Sequence, residues 1–220
     1  MKLLRQHRKL LGWFMTCLMA VWLPGPYAHA AMGTWIEDES GTLTWQDFTH
    51  WNDGLIPGFA IGDTANLNLN FLGNQFISLN DPLTLGTLNI GDVSGGSNLV
   101  LTAGVNGTLS FNNDGLAVIN KTGEGTVAIM ANVGLQNQLT LNIAQGILVL
   151  GGVVDGVNGF TKNGDGTLVL RNANNFTGVN ILNGGITMIS PGGQRFDGAW
   201  RVEQLPAGHH REFGRDAGIQ

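Results

Sequence analysis

Beyond residue 30 the chain holds three histidines, His50, His209 and His210, and no cysteine; the single Cys17 lies before that point. A zinc or iron site needs three or four converging ligands, which one lone histidine and one adjacent pair do not supply. A Ser-His-Asp triad would have to use His50, and no Gly-x-Ser-x-Gly elbow accompanies it. Asp114, Glu124, Asp155 and Asp165 each adjoin a glycine, where an acid is ordinary turn chemistry. A polysaccharide-cleaving site would instead need acids clustered with Lys121 or Lys162, the two lysines between residues 31 and 190. Gly123-Glu124-Gly125 and Gly164-Asp165-Gly166 open no helix, so neither reads as a phosphate loop. The expectation is a chain without catalysis, cofactor or metal. One binding surface remains: Trp35, Trp45 and Trp51 could offer flat rings to a sugar.

The first thirty residues read as a secretory leader. Lys2, Arg5, Arg8 and Lys9 make a basic start, Leu10 to Leu23 is a mostly apolar run, and Pro24, Gly25 and Pro26 break it. Ala28-His29-Ala30 then forms a small-x-small cleavage site before Ala31. The apolar run is shorter than the roughly 20 residues of a membrane-spanning helix, so no membrane span is expected in the mature chain. Removing the leader takes away four of eleven basic residues and none of the sixteen acidic ones. Seven basic residues then face sixteen acidic ones, a net charge of −9. That excludes nucleic acid as a partner, because phosphates call for clustered Lys and Arg.

Positioning elements must be built from a composition with 34 glycines, 43% hydrophobic and only 12% charged residues. Glycine supplies turns and the aliphatics supply an interior, which suits an all-β fold. Glycine followed by a short alternating stretch recurs at Gly86, Gly107, Gly125, Gly146, Gly166 and Gly184, with spacings of 21, 18, 21, 20 and 18. The third and fifth positions are apolar each time: Leu88 and Ile90, Leu109 and Phe111, Val127 and Ile129, Leu148 and Leu150, Leu168 and Leu170, Ile186 and Met188. Alternate residues of a strand face one way, so these pairs are expected to point inward. Each strand is too short to bury its apolar face alone, and stacking equivalent strands buries a continuous column. The pattern predicts a parallel β-helix of about six rungs, with the six glycine-led strands in one file. A competing antiparallel sandwich lacks the fixed period.

Four segments follow: a leader over 1–30, an N-terminal aromatic cap over 31–64, the β-helix repeats over 65–190, and an irregular tail over 191–220. The cap is assigned because residues 31–64 lack the rung pattern and a solenoid end needs cover. The tail is assigned because Arg195, Arg201, Arg211, Arg215, Pro191 and Pro206 interrupt the alternation. An uncapped last rung near Ile186 is expected to be open to edge-to-edge self-association.

Residues 159–187 carry a family resemblance. Lys162, Gly164, Gly166, Thr167, Leu168 and Leu170 are followed by Asn175-Phe176-Thr177-Gly178 and then Asn183-Gly184-Gly185. This resembles the autotransporter-associated β-strand repeat, or passenger-associated transport repeat: Lys-x-Gly-x-Gly-Thr-Leu-x-Leu, Asn-x-Tyr/Phe-Thr-Gly, Asn-Gly-Gly. Lys121-Thr122-Gly123-Glu124-Gly125-Thr126-Val127 is a fainter copy. The resemblance implies a right-handed β-helix passenger, exported to the cell surface, medium or periplasm, whose repeat supports translocation. It also implies a C-terminal outer-membrane barrel. No residues after 190 alternate as lipid-facing strands, so the chain is expected to be a truncated passenger or to use a partner translocator. The expected function is a structural or adhesive passenger segment, with a surface polysaccharide or host receptor as its target. The alternatives are a carbohydrate-binding module at the tryptophans and a β-helix polysaccharide-degrading enzyme.

Overall fold

The structure is a computed structural model that describes residues 30–189 and 200–202. The basic start, the apolar run and Ala28 of the leader fall outside them, as does most of the segment after 190.

The chain winds into a parallel β-solenoid. Its first coil holds β1 (Met32–Thr34) and β2 (Gly41–Thr44). The next four coils each place a strand on three faces. They are β3 (Thr64–Leu67), β4 (Gln75–Ser78) and β5 (Leu83–Leu85); then β6 (Thr87–Ile90), β7 (Leu99–Thr102) and β8 (Thr108–Phe111). Next come β9 (Ala117–Lys121), β10 (Thr126–Ile129) and β11 (Asn132–Leu135); then β12 (Leu139–Ile143), β13 (Ile147–Leu150) and β14 (Val154–Asp155). A fifth three-sided coil has β15 (Phe160–Asn163) and β16 (Thr167–Leu170), and its third side is extended chain around residues 174–178 that bonds to the coil before it. β17 (Asn180–Leu182), β18 (Ile186–Ile189) and β19 (Trp200–Val202) follow. Strands of equal rank stack into three parallel sheets. Sheet 1 runs β1-β3-β6-β9-β12-β15-β17-β19, sheet 2 runs β2-β4-β7-β10-β13-β16-β18, and sheet 3 runs β5-β8-β11-β14.

The all-β parallel solenoid expected from the repeats is therefore the fold, but it has about five turns rather than six. The glycine-led strands do not share one file. Leu88 lies on β6 in sheet 1, Leu109 on β8 in sheet 3, and Val127, Leu148 and Leu168 in sheet 2. Glycine turns precede strands on every face, so the chain spacing mixed steps within a coil with steps between coils. The true repeat is read from pairing: Thr64 to Thr87, Thr87 to Val118, Val118 to Thr140, Thr140 to Thr161 and Thr161 to Ile181. In sheet 1 it exceeds thirty residues twice, from Met32 to Thr64 and from Thr87 to Val118, and tightens to about twenty at the C-terminal end.

Inward files are aliphatic. In sheet 2 Leu43, Ile77, Leu101, Ile129, Leu150, Leu170 and Ile189 succeed one another, with Leu99, Val127, Leu148 and Leu168 beside them. All but the terminal members are buried. Ile186 and Met188 depart from the expected phase. Gly185, not Gly184, is the turn glycine (φ 63°), so Thr187 and Ile189 continue the inward files while Ile186 and Met188 face out at 45% and 46% exposure. A slip of one residue exchanges the two faces of a strand.

The end segments also take part in the sheets. Within residues 31–64, β1 and β2 pair in register with β3 and β4 as the first coil of the solenoid. In the segment after 190, Trp200–Val202 adds a strand to sheet 1 opposite β17, in place of the irregular chain expected there.

The phase predicts unequal costs on one strand. Leu168→Ala removes a fully buried side chain and is expected to lower the unfolding free energy by about 2–5 kcal/mol. Val169→Ala, one residue on and facing out, is expected to cost less than about 1 kcal/mol. Urea denaturation of the two variants checks this.

Candidate functional site

The residues of the repeat motif divide between the corner of sheets 1 and 2 and the third side of the coil. Lys162 stands in an inward file between Leu141 and Leu182 and is buried, and its Nζ donates to the Gly164 carbonyl of its own turn at 2.8 Å and to the Gly184 carbonyl of the next coil at 2.7 Å. Gly164 takes a positive φ of 84° to bring its carbonyl round. A Cβ on Gly166 would sit 2.5 Å from the Ile143 side chain of the preceding coil. Thr167 faces out between Ile147 and Ile186, while Leu168 and Leu170 face in. On the third side the backbone N–H groups of Asn175 and Thr177 donate to the Val154 and Gly156 carbonyls, both at 3.0 Å. Phe176 is buried edge-on to Phe160, with ring centres 5.7 Å apart. A side chain on Gly178 would collide with the Gly159 backbone. Asn183 and Gly185 return the chain to the corner, where a Cβ on Gly185 would lie 2.7 Å from the Lys162 Nζ. Each motif residue thus has a neighbour in its own or an adjoining coil.

Lys121 repeats the arrangement two coils earlier. Its Nζ donates to the Gly123 carbonyl and, at 2.9 Å, to the Gln145 carbonyl of the next coil. Burial lowers both lysines from an ordinary 10.5 to about 8, and Asp165 partly opposes this at Lys162. Both ammonium groups are turned inward onto carbonyls rather than presented on an outer groove.

An outward feature escaped the sequence reading. Asn66, Asn89, Asn120, Asn142, Asn163 and Asn183 form one amide ladder along sheet 1. Each Nδ2 donates to the Oδ1 of the coil before at 2.7, 2.7, 2.8, 3.0 and 2.8 Å, and Asn66 donates to Thr34 Oγ1 at 3.4 Å. The members were individually visible, two of them, Asn163 and Asn183, before a glycine. Their uneven spacing followed the changing coil length and hid the ladder. Sheet 2 carries a different outward file, headed by Thr42 and apolar from Phe76 on through Val100, Ala128, Val149, Val169 and Met188; Phe76 and Met188 are exposed, while Val149 is buried.

Trp35, Trp45 and Trp51 fill the first coil instead of offering a sugar platform. Their exposures are 0%, 0% and 2%. Trp51 stands edge-on to both others, with ring centres 5.1 and 4.8 Å away. Each indole N–H is bonded: Trp35 to Gln75 Oε1 at 3.1 Å, Trp45 to the Pro57 carbonyl at 2.9 Å, Trp51 to the Trp45 carbonyl at 2.7 Å. Gln75 Nε2 in turn donates to the Glu37 and Glu39 carbonyls. A ring face closed by packing cannot stack on a ligand, which overturns the platform.

The acids do not converge. Asp114 sits in a turn with φ 22°, Glu124 and Asp165 lie exposed at the sheet 1–sheet 2 corner, and Asp155 ends β14. Among the described residues no three His, Cys, Asp or Glu side chains come together. His50 lies tilted against Trp35, with ring centres 5.1 Å apart, and approaches Asp47 at 3.8 Å. His209 and His210 lie outside the described residues. Of the cleavage-site residues, Ala30 is exposed and Ala31 joins the first coil, its N–H donating to Asp63 at 2.7 Å. No protein-family model, curated protein or solved structure matches the chain.

Two outcomes follow. Asn142→Ala breaks two ladder bonds and Asn183→Ala one, so the expected losses are about 2 and about 1 kcal/mol by urea denaturation. Between about pH 8 and 10.5 the unfolded lysines hold protons that the folded ones have released, so stability rises with pH across that window. Lys121→Met with Lys162→Met is expected to flatten the rise, measured as unfolding free energy against pH.

Proposed function

We propose that this chain is an exported, non-catalytic β-solenoid, a rigid structural or adhesive passenger segment that acts outside the bacterial inner membrane. One observation carries the reading: the polar residues of the motif are spent on adjoining coils. Lys162 joins two turns, the asparagines join six coils, and the glycines allow close stacking. Such a coil is a building unit, and its product is a stiff column rising about 4.8 Å per turn.

The resemblance to the autotransporter-associated repeat and the leader over 1–30 support export. On this reading the partners are the translocator that carries passengers and the surface the column meets. The half-buried apolar file of sheet 2, exposed at Phe76 and Met188, supports the adhesive role, because exposed apolar groups on a regular face are what a contact surface offers. The polysaccharide-degrading alternative loses support, since Lys121 and Lys162 are turned inward and the acids stand apart. The carbohydrate-binding alternative loses support through the buried tryptophans.

The test expresses the full chain in a Gram-negative host with a C-terminal epitope. Recovery from the periplasm or medium without the leader is expected, with no release of reducing ends from a panel of polysaccharides. A cytoplasmic protein with an intact leader, or turnover of any polysaccharide, would overturn the proposal.

A further inference from the structure

Asp63 is buried at 1% exposure and gathers donors around both oxygens. Oδ2 accepts from the backbone N–H groups of Gly58, Phe59 and Ala60 at 2.8, 3.0 and 3.2 Å. Oδ1 accepts from the Ala31 nitrogen at 2.7 Å. All four donors are neutral amides. Among the described residues the one ion pair within 4 Å is His50 with Asp47, so Asp63 has no cation. A buried carboxylate is strongly destabilising unless a positive charge or several hydrogen bonds compensate it.

The Ala31 nitrogen is held in place by the fold. The Ala31 carbonyl accepts from Thr64 N–H at 2.7 Å, and the next residue, Met32, pairs with Thr64 at the start of the β1–β3 ladder. Thr64 directly follows Asp63, so one stretch of backbone positions both the carboxylate and the group that reaches it. Ala31 is also the residue immediately after the small-x-small sequence Ala28-His29-Ala30.

We infer that Asp63 is a receptor for the new amino terminus: cleavage between Ala30 and Ala31 turns the Ala31 amide into an α-ammonium ion-paired with the buried Asp63 carboxylate. Water is the co-reactant. Its hydrolysis of the peptide bond leaves a carboxylate on Ala30, which departs with the leader, and an ammonium on Ala31. No atom needs to move far, because the nitrogen already lies at hydrogen-bond distance. The precursor carries Asp63 with amide donors alone, and the processed chain adds the charge. Leader removal thereby completes the first coil, and the solenoid gains its N-terminal anchor only after export. A one-residue error in the cut would displace the amine by about 3.8 Å and lose the pair.

The inference rests on the reading of residues 1–30 as a cleaved leader, and the experiment separates the two. The intact mass of the exported protein reports the cut: a start other than Ala31 overturns the leader reading as placed here. The ion pair is tested on processed chains prepared by removing a tag that leaves no extra residue. One begins at Ala31 and one retains Ala30, each with Asp63 or with Asp63→Asn. Asp63→Asn is expected to lower the folding equilibrium constant by about 10-fold more in the chain beginning at Ala31 than in the chain retaining Ala30. Equal losses in both would overturn the pair. Should Asp63→Asn fail to fold, the Ala31 chain with its amine acetylated is compared with the free-amine chain. The free amine is expected to be the more stable at pH 7, with the gap closing above pH 10, and equal stability at pH 7 would sink the inference.

Discussion

The stacking of one coil on the next is the constraint from which the remaining structure follows. A strand of three to five residues cannot bury its apolar face alone. Only the repetition of inward positions from coil to coil closes the interior. The parallel ladders and the aliphatic files are one requirement seen twice: backbone pairing fixes the register, and the register brings Ile77, Leu101, Ile129, Leu150 and Leu170 into contact. Coil length is free to vary at the corners, since loops there leave the ladder untouched. That freedom lets Thr87 pair with Val118 across 31 residues while the later coils close in about twenty.

Polar groups are handled at two places where apolar packing ends. At the corner between sheets 1 and 2 the backbone turns and its carbonyls point inward, away from water. Lys121 and Lys162 supply the donors there, and the burial this imposes makes their charged forms less favourable than in water. On the outer face of sheet 1 the asparagine amides satisfy one another, each acting as donor to one coil and acceptor from the next. At the N-terminal end the three tryptophans, with Gln75 as their polar tie, fill a coil that has strands on only two faces. Large aromatic side chains there take the volume that aliphatic files take elsewhere.

These arrangements bear on function through what they leave over. Side chains that in another solenoid would line a groove are here bound into the walls, and the turn acids are held apart from one another. Two regular outward features stand on the sheets, the amide ladder of sheet 1 and the largely apolar file of sheet 2. Asp63 stands apart from this pattern: it is a buried charge in the first coil whose nearest chemistry is the chain's own entry into the fold.

The sequence by itself determined the class of fold. Gly-led alternation, an apolar majority with few charges, and recurrence near twenty residues admit little else, and the inward pairs on β10, β13 and β16 were legible because alternation within a strand is local. It also marked Lys162, Gly164, Phe176 and Gly178 as a unit. Tertiary structure decided everything that depends on which strand lies above which. The assignment of Leu88 and Leu109 to other sheets, the reversed phase of Ile186 and Met188 and the pairing of β1 and β2 into the sheets were not available beforehand, and the choice between an aromatic cap and a sugar platform at Trp35, Trp45 and Trp51 was left open until their burial was seen. Neither were the asparagine ladder and the meeting of Ala31 with Asp63. The physical reason is common to all of them. Strand pairing between coils joins residues nineteen to thirty-four apart across loops of unequal length, and a pattern read along the chain cannot tell a step around a coil from a step to the next one until the register is fixed in space.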